Sequence, residues 1–249
     1  MTYIHWAKFL AAFSSLSAGI SIVGTRLLIP ETDPQSMAAI RFGIGALCLM
    51  PFLVVGARRK PIVRADWPAV IILGALFFGL FTFLFNASLA LTTAAHGAVG
   101  LATSPIITLV LAWILGREVM TKVKMICVVL AFLGVAVAVS DSLVATASGT
   151  DIVIGDSLML LAALTVSIYT IYAKPYIMKY GGIYFTAVVM AIGVLALIAA
   201  SPLVGFPIGV PDFTILEWGV MLFLGVIGAA VQFAAFIWAL GRIPSSTVG

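Results

Sequence analysis

Between His96 and Gly116 no side chain carries a fixed charge, and the run matches the roughly 20 apolar residues needed to cross a bilayer's hydrocarbon core. It predicts a membrane span, ended by the charged stop Gly116-Arg117-Glu118. Pro105 lies inside this helix and removes one backbone hydrogen bond, which lipid cannot replace. The freed carbonyl must face other helices, a hydroxyl such as that of Ser104, or water in a cavity. The span is therefore expected in the interior of a bundle, with Ser104 and Pro105 as candidates to line a substrate cavity.

The rest of the chain repeats the pattern. Of 249 residues, 63% are hydrophobic and 9% charged, a balance that no soluble core-and-surface arrangement of this length produces. Apolar runs give eight spans, at about 7–29, 36–57, 68–91, 95–116, 123–143, 155–173, 182–204 and 216–240. The fold class is an all-α membrane protein, a helical bundle in a single membrane domain. A ninth span starts at Ser245-Ser246-Thr247, and the chain is expected to be C-terminally truncated there. The first run lacks a small-residue cleavage site and reads as a retained helix. Cys48 and Cys127 fall inside apolar runs without metal-ligand spacing and read as packing residues.

A net charge of +4 would suit an acidic partner, but the basic residues occupy short segments between spans, so nucleic-acid binding is rejected. With the N-terminus in the cytoplasm, Lys8, Arg58, Arg59, Lys60, Arg64, Arg117, Lys122, Lys124, Lys174, Lys179 and Arg242 all fall on that side. The outer loops then carry Glu31, Asp33, Asp141, Asp151, Asp156, Asp212 and Glu217, and only Arg26 and Arg41 lie towards the outside.

An internal repeat is visible at a shift of about 150 residues. Asp66-Trp67, Gly74 and the segment Leu84 to Leu91 align with Glu217-Trp218, Gly225 and the segment Ala235 to Arg242. The period spans five helices, so residues 1–143 and 155–249 would cross the bilayer in opposite directions, as inverted repeats do, the second copy being incomplete.

Several segments carry a family likeness: Ala39-Ile40-Arg41-Phe42, Asn86-Ala87-Ser88-Leu89-Ala90-Leu91-Thr92, Thr103-Ser104-Pro105-Ile106, Leu115-Gly116-Arg117-Glu118 and Gly134-Val135. In their order and spacing the chain resembles the drug/metabolite transporter superfamily, and within it the EamA-type family of ten-helix proteins. The resemblance implies secondary transport of small metabolites, often export, with both termini cytoplasmic and the cavity between two five-helix repeats. The departure is the end, where the counterpart of His96 to Glu118 and a tenth helix are lacking.

Each polar residue in a span has a functional and a plain reading. Arg41 would meet an anionic substrate group, or snorkel outward and pair with Glu31 or Asp33. Arg26, nearer its helix end, reads as an anchor. Thr82 and Asn86 share a face late in the third span, suited to a cavity or to helix-helix contact, and Gln232 plays a similar part in the eighth. Trp238 would gate the cavity or sit in an interfacial belt. Tyr169 and Tyr172 form the polar face of the sixth span and would line the cavity or pack on the first. His96 is the candidate for proton coupling, against a reading as interfacial trim. Glu118, flanked by Arg117 and Lys122, reads as a structural helix-end ion pair or part of a gate.

No Ser-His-Asp arrangement, intramembrane carboxylate pair or His/Cys cluster is present, so neither an enzyme, a metal nor a cofactor is expected. The expectation is a secondary transporter, acting as an exporter of small metabolites such as amino acids across the bacterial cytoplasmic membrane. It would work by alternating access, with helices one to four rocking against helices six to nine. Protons are the candidate coupling ion, and a homodimer would complete the core if the chain ends at Gly249. A non-transporting membrane scaffold and a passive facilitator of the same fold are the competing readings.

Overall fold

The computed structural model describes residues 2–130, 133–134, 149–204 and 208–242. Within them the chain forms α1 (Thr2–Leu28), α2 (Pro34–Arg59), α3 (Trp67–Gly74, continued through Ala75–Phe81 and Thr82–Leu91) and α4 (Ala94–Leu101 and Ser104–Ile114). Then come α5 (residues 122–130), α6 (Gly149–Tyr180), α7 (Gly182–Val204) and α8 (Ile215–Gly225, continued through Val226–Val231 and Gln232–Leu240). Among the described residues, seven of these helical runs are long and apolar enough to cross a membrane. The expected fifth span, 123–143, lies partly outside the described residues, as does all of the expected ninth.

Local chemistry sets several boundaries. Asp33 caps α2, its carboxylate accepting from the Gln35 and Ser36 amides at 2.9 Å each, and Pro34 occupies the first turn, where its missing N–H costs nothing. A capping box of Thr214 and Glu217 starts α8. Pro105 does more than remove one bond from a continuous span. It stands in the first turn of a second half-helix, and α4 is broken at Ala102-Thr103. Hydroxyls reach carbonyls on both sides of the break: Thr103 Oγ1 donates to Gly100 O at 2.6 Å and Ser167 Oγ to Ser104 O at 3.1 Å.

Two spans depart from α geometry at matching places. Ala75–Phe81 in α3 and Val226–Val231 in α8 are π-helical, each following a glycine, Gly74 and Gly225. Their first residues stand 151 positions apart, the shift at which the tryptophans and glycines align in the sequence. A Cβ on Gly74 would lie 2.9 Å from Ile192 Cβ and Val189 O of α7, and one on Gly225 would lie 2.6 Å from Ile44 Cγ2 of α2. α3 thus crosses α7 as α8 crosses α2, backbone against backbone, which small residues permit where no hydrophobic force drives helices together in lipid.

Pairing across the bundle is also reciprocal: α1 runs along α8, α3 along α6, and α2 along α7 at the centre. The core they share is largely aromatic, with Phe42, Phe77, Phe78 and Phe233 in mutual edge or tilted contact at centroid separations of 4.8–5.6 Å. Outward faces carry large apolar side chains, among them Leu16, Ile20, Leu27, Leu47 and Ile72, as lipid contact requires. Cys48 and Cys127 lie on this exposed surface rather than in helix contacts, because a thiol is apolar enough to face hydrocarbon.

Candidate functional site

A cavity of about 350 Å³ opens in the middle of the bundle, walled by α1, α3, α4, α6 and α8, and this size falls in the range of small-molecule sites. α1 contributes the small residues Ser14, Ser15, Ala18 and Gly19. Ser15 and Gly19 are exposed, so the cavity is open on that side. α4 contributes its break, with Ala102, Ser104 and Pro105, and then Thr108. The positive end of the half-helix starting at Ser104 therefore faces the cavity. The π segment of α3 supplies Phe77 and Phe81, and α8 supplies Gln232, Phe233 and Phe236 directly after its own. Irregular helix is tolerated at membrane depth where it lines a cavity or is buried in protein, and π segments recur at functional sites because they re-aim side chains.

Three of the residues singled out in the sequence meet here: Ser104, Pro105 and Gln232. The Gln232 amide is held in the wall by Ser21, whose hydroxyl donates to Oε1 at 3.2 Å. The others lie elsewhere. Thr82 is buried and donates to Phe78 O at 2.7 Å and Gly79 O at 3.0 Å, satisfying carbonyls of the π segment. Asn86 ties α3 to α2, donating to Pro34 O at 3.1 Å. Tyr169 stands one layer behind the cavity, stacked on Phe77 at 4.0 Å, and Tyr172 is on the outer surface beneath Arg117, 4.7 Å from its ring. Trp238 carries the Arg242 guanidinium 3.5 Å above its ring and packs beside Gly182 at the start of α7.

Arg41 neither snorkels nor pairs with Glu31 or Asp33. It is 3% exposed, with Nη1 donating to Thr25 Oγ1 at 3.1 Å and Nη2 to Gly228 O at 2.7 Å. Arg26 is likewise turned inward, donating to Leu89 O at 2.7 Å and so joining α1 to α3.

Polar clusters mark both ends of the α3–α6 contact. At the end formed by the α1–α2 and α3–α4 turns, Asp156 accepts from Thr92 at 2.7 Å and lies 3.0 Å from His96 Nδ1. At the opposite end Asp66 pairs with Lys179 at 2.5 Å and accepts from Tyr180, whose hydroxyl also accepts from the Val63 amide. Glu118 pairs with Lys124 at 3.1 Å just beyond α4.

Sequence reasoning missed the α1 wall, although Ser14-Ser15-Leu16-Ser17-Ala18-Gly19 is a visible small and hydroxylic run in an otherwise bulky span. It also missed Asp156 as the partner of His96, because 60 positions separate them and only packing brings them together.

Comparison with known proteins bears on the fold and on the family. A model of the EamA-like transporter family matches residues 5–140 and 153–249. An uncharacterized transporter, YyaM, of Bacillus subtilis (strain 168) is 25% identical over 225 residues, covering 90% of this chain and 73% of that protein. An uncharacterized transporter of Clostridium kluyveri is 26% identical over 222 residues, covering 87% and 71%. One solved crystal structure superposes with a TM-score of 0.67 at 18% identity, over 94% of this chain and 78% of the other, which shows the fold.

Proposed function

Because the chain belongs to the EamA-like transporter family, and so is a multi-pass membrane transporter rather than an enzyme, we propose that it is a secondary transporter exporting small metabolites by alternating access. The bilayer would be the bacterial cytoplasmic membrane, with the N-terminus inside. The observation that carries the reading is the open-sided cavity at the broken α4, flanked by the two π segments. A non-transporting scaffold would be expected to pack tightly here, without a cavity. Two inverted five-helix units, residues 1–143 and 155–249, are supported by the matching π segments and by the reciprocal helix crossings.

The moving bodies we favour are not the two halves in chain order. α3 is fastened to α6 at both ends by side chains, and α1 lies along α8. Units of α3, α4 and α6 moving against α1 and α8 would open the cavity to either side without breaking those clusters. His96, set against Asp156, is the proton-coupling candidate.

Gly19 offers a direct test, since a Cβ there meets nothing within 4 Å and the residue lines the cavity. Gly19→Phe is expected to leave the unfolding midpoint in detergent within a few degrees of the parent while reducing exchange at least tenfold. The readout is counterflow in proteoliposomes with a panel of amino acids and neutral metabolites, run with and without a pH gradient. Unchanged exchange by the folded variant would show that this cavity is not the transport path. No exchange of any panel member by the parent would count against transport altogether.

A further inference from the structure

Arg41 lies well inside α2 and is almost fully buried, yet no carboxylate among the described residues forms an ion pair with it. Its Nε–H has no acceptor. A desolvated cation without a counter-charge is among the costliest groups to hold in a span, so its charge needs a reason.

The structural duty it performs does not supply one. Arg41 donates to Thr25 Oγ1 and to the Gly228 carbonyl, which belongs to the π segment of α8. In the matching segment of α3 the carbonyls of Phe78 and Gly79 are satisfied by Thr82, a neutral hydroxyl. A neutral donor therefore suffices to complete such a segment, and the guanidinium charge is surplus to helix packing.

Arg41 is one side-chain layer from the cavity. Ser21 Oγ and Arg41 Nη2 flank Gly228 together, 2.4 Å and 3.4 Å from the position its Cβ would take, and Ser21 holds the wall residue Gln232. Phe42, whose ring lies 5.2 Å from the Arg41 guanidinium carbon, packs against the wall residue Phe233. A swing of Gln232 off Ser21 would open the wall towards Gly228, beside which the guanidinium lies. The remaining wall is mostly aromatic and aliphatic, with the hydroxyls of Ser14, Ser15, Thr108 and Thr170 and the half-helix N-terminus at Ser104, which also favours negative charge.

We propose that Arg41 is the anchor for a carboxylate, and that the substrates are amphipathic monocarboxylates with an apolar body of about phenyl size. The proposal rests on the transporter reading above and names its substrate class. Carboxylate oxygens replace the missing counter-charge through charge-assisted hydrogen bonds from Nε and Nη, while the body packs against Phe77, Phe81 and Phe236.

The test compares acids with their neutral isosteres: 3-phenylpropionate and 4-methylvalerate against 3-phenylpropionamide and 4-methylvaleramide. Counterflow is measured in proteoliposomes, and ligand-induced shifts of the unfolding midpoint in detergent. The parent protein should exchange the acids at least tenfold better than the amides. Arg41→Gln, which keeps an N–H donor for Gly228 O, should fold and bring the acids down to the amides' level; Arg41→Lys should retain a weakened preference. Equal handling of acids and amides by the parent overturns the proposal, as does an acid preference retained in Arg41→Gln. Should Arg41→Gln fail to fold, the parent's acid-to-amide ratio and the Arg41→Lys variant decide alone. Exchange of neutral metabolites without any exchange of acids overturns the carboxylate anchor and leaves the transporter reading standing.

Discussion

Replacing Gly193 by alanine is expected to lower the unfolding midpoint more than any other single-methyl addition in the bundle. A Cβ at this position would lie 2.2 Å from Phe78 Cβ and 2.8 Å from the Phe78 Cα and carbonyl carbon. Those atoms belong to the π segment of α3 and cannot rotate aside, so α3 and α7 must separate. Overpacking of this kind costs about 3 kcal/mol, well above the roughly 1 kcal/mol that alanine gains over glycine in a helix. Gly43→Ala is the control, since nothing lies within 4 Å of its Cβ. It should be neutral or slightly stabilising. The measurement is thermal unfolding in detergent followed by tryptophan fluorescence. A Gly193→Ala midpoint at or above that of Gly43→Ala would mean that α3 and α7 are not in backbone contact.

The second large effect is expected at Asp156, which joins α6 to the α3–α4 turn by accepting from Thr92 and meeting His96. Its side chain is 10% exposed, so Asp156→Ala removes a charged acceptor from a nearly dry contact and leaves the buried Thr92 hydroxyl without its partner. A loss of about 2 kcal/mol follows from hydrogen bonds to a charged group. Asp66→Ala, at the other end of the same helix pair, should cost less, because Lys179 is 46% exposed and solvent screens the pair. Comparison of the two midpoints checks the ranking. An Asp66 variant less stable than the Asp156 variant would reverse it and place the principal fastening of α3 to α6 at the opposite end of the bundle.

The residues at the site were legible to different degrees for physical reasons. Pro105 was readable because proline acts on its own backbone. What it does there, starting a second half-helix, goes with hydroxyls of Thr103 and Ser167 that donate to carbonyls on either side of the break. Gln232 was found because an amide in an apolar span is rare. Asn86 looked the same in the sequence, yet it reaches a carbonyl of α2 and lies outside the cavity. The two differ only in what faces them. Tyr169 and Tyr172 sit three positions apart on α6, and the turn between them sends one ring into the core against Phe77 and the other outward beneath Arg117. Gly19 carried no chemical signal of its own, and its place in the cavity wall comes from how α1 meets α4.

By itself, the sequence determined what depends on composition and period: that the chain resides in a membrane, roughly where the seven spans among the described residues run, and that Trp67 and Trp218 open corresponding segments. Hydrophobic length and internal alignment are properties of the chain alone, so no neighbour can alter them. The tertiary structure decided which polar groups face a cavity, which fasten helices, and where a buried charge has no counterpart. In lipid, strongly polar side chains deep in a span turn inward whatever their role, so inwardness does not separate these roles. The separation comes from the partner across the contact: Thr25 and the Gly228 carbonyl for Arg41, Pro34 O for Asn86, and open space beside Ser104 and Gly19.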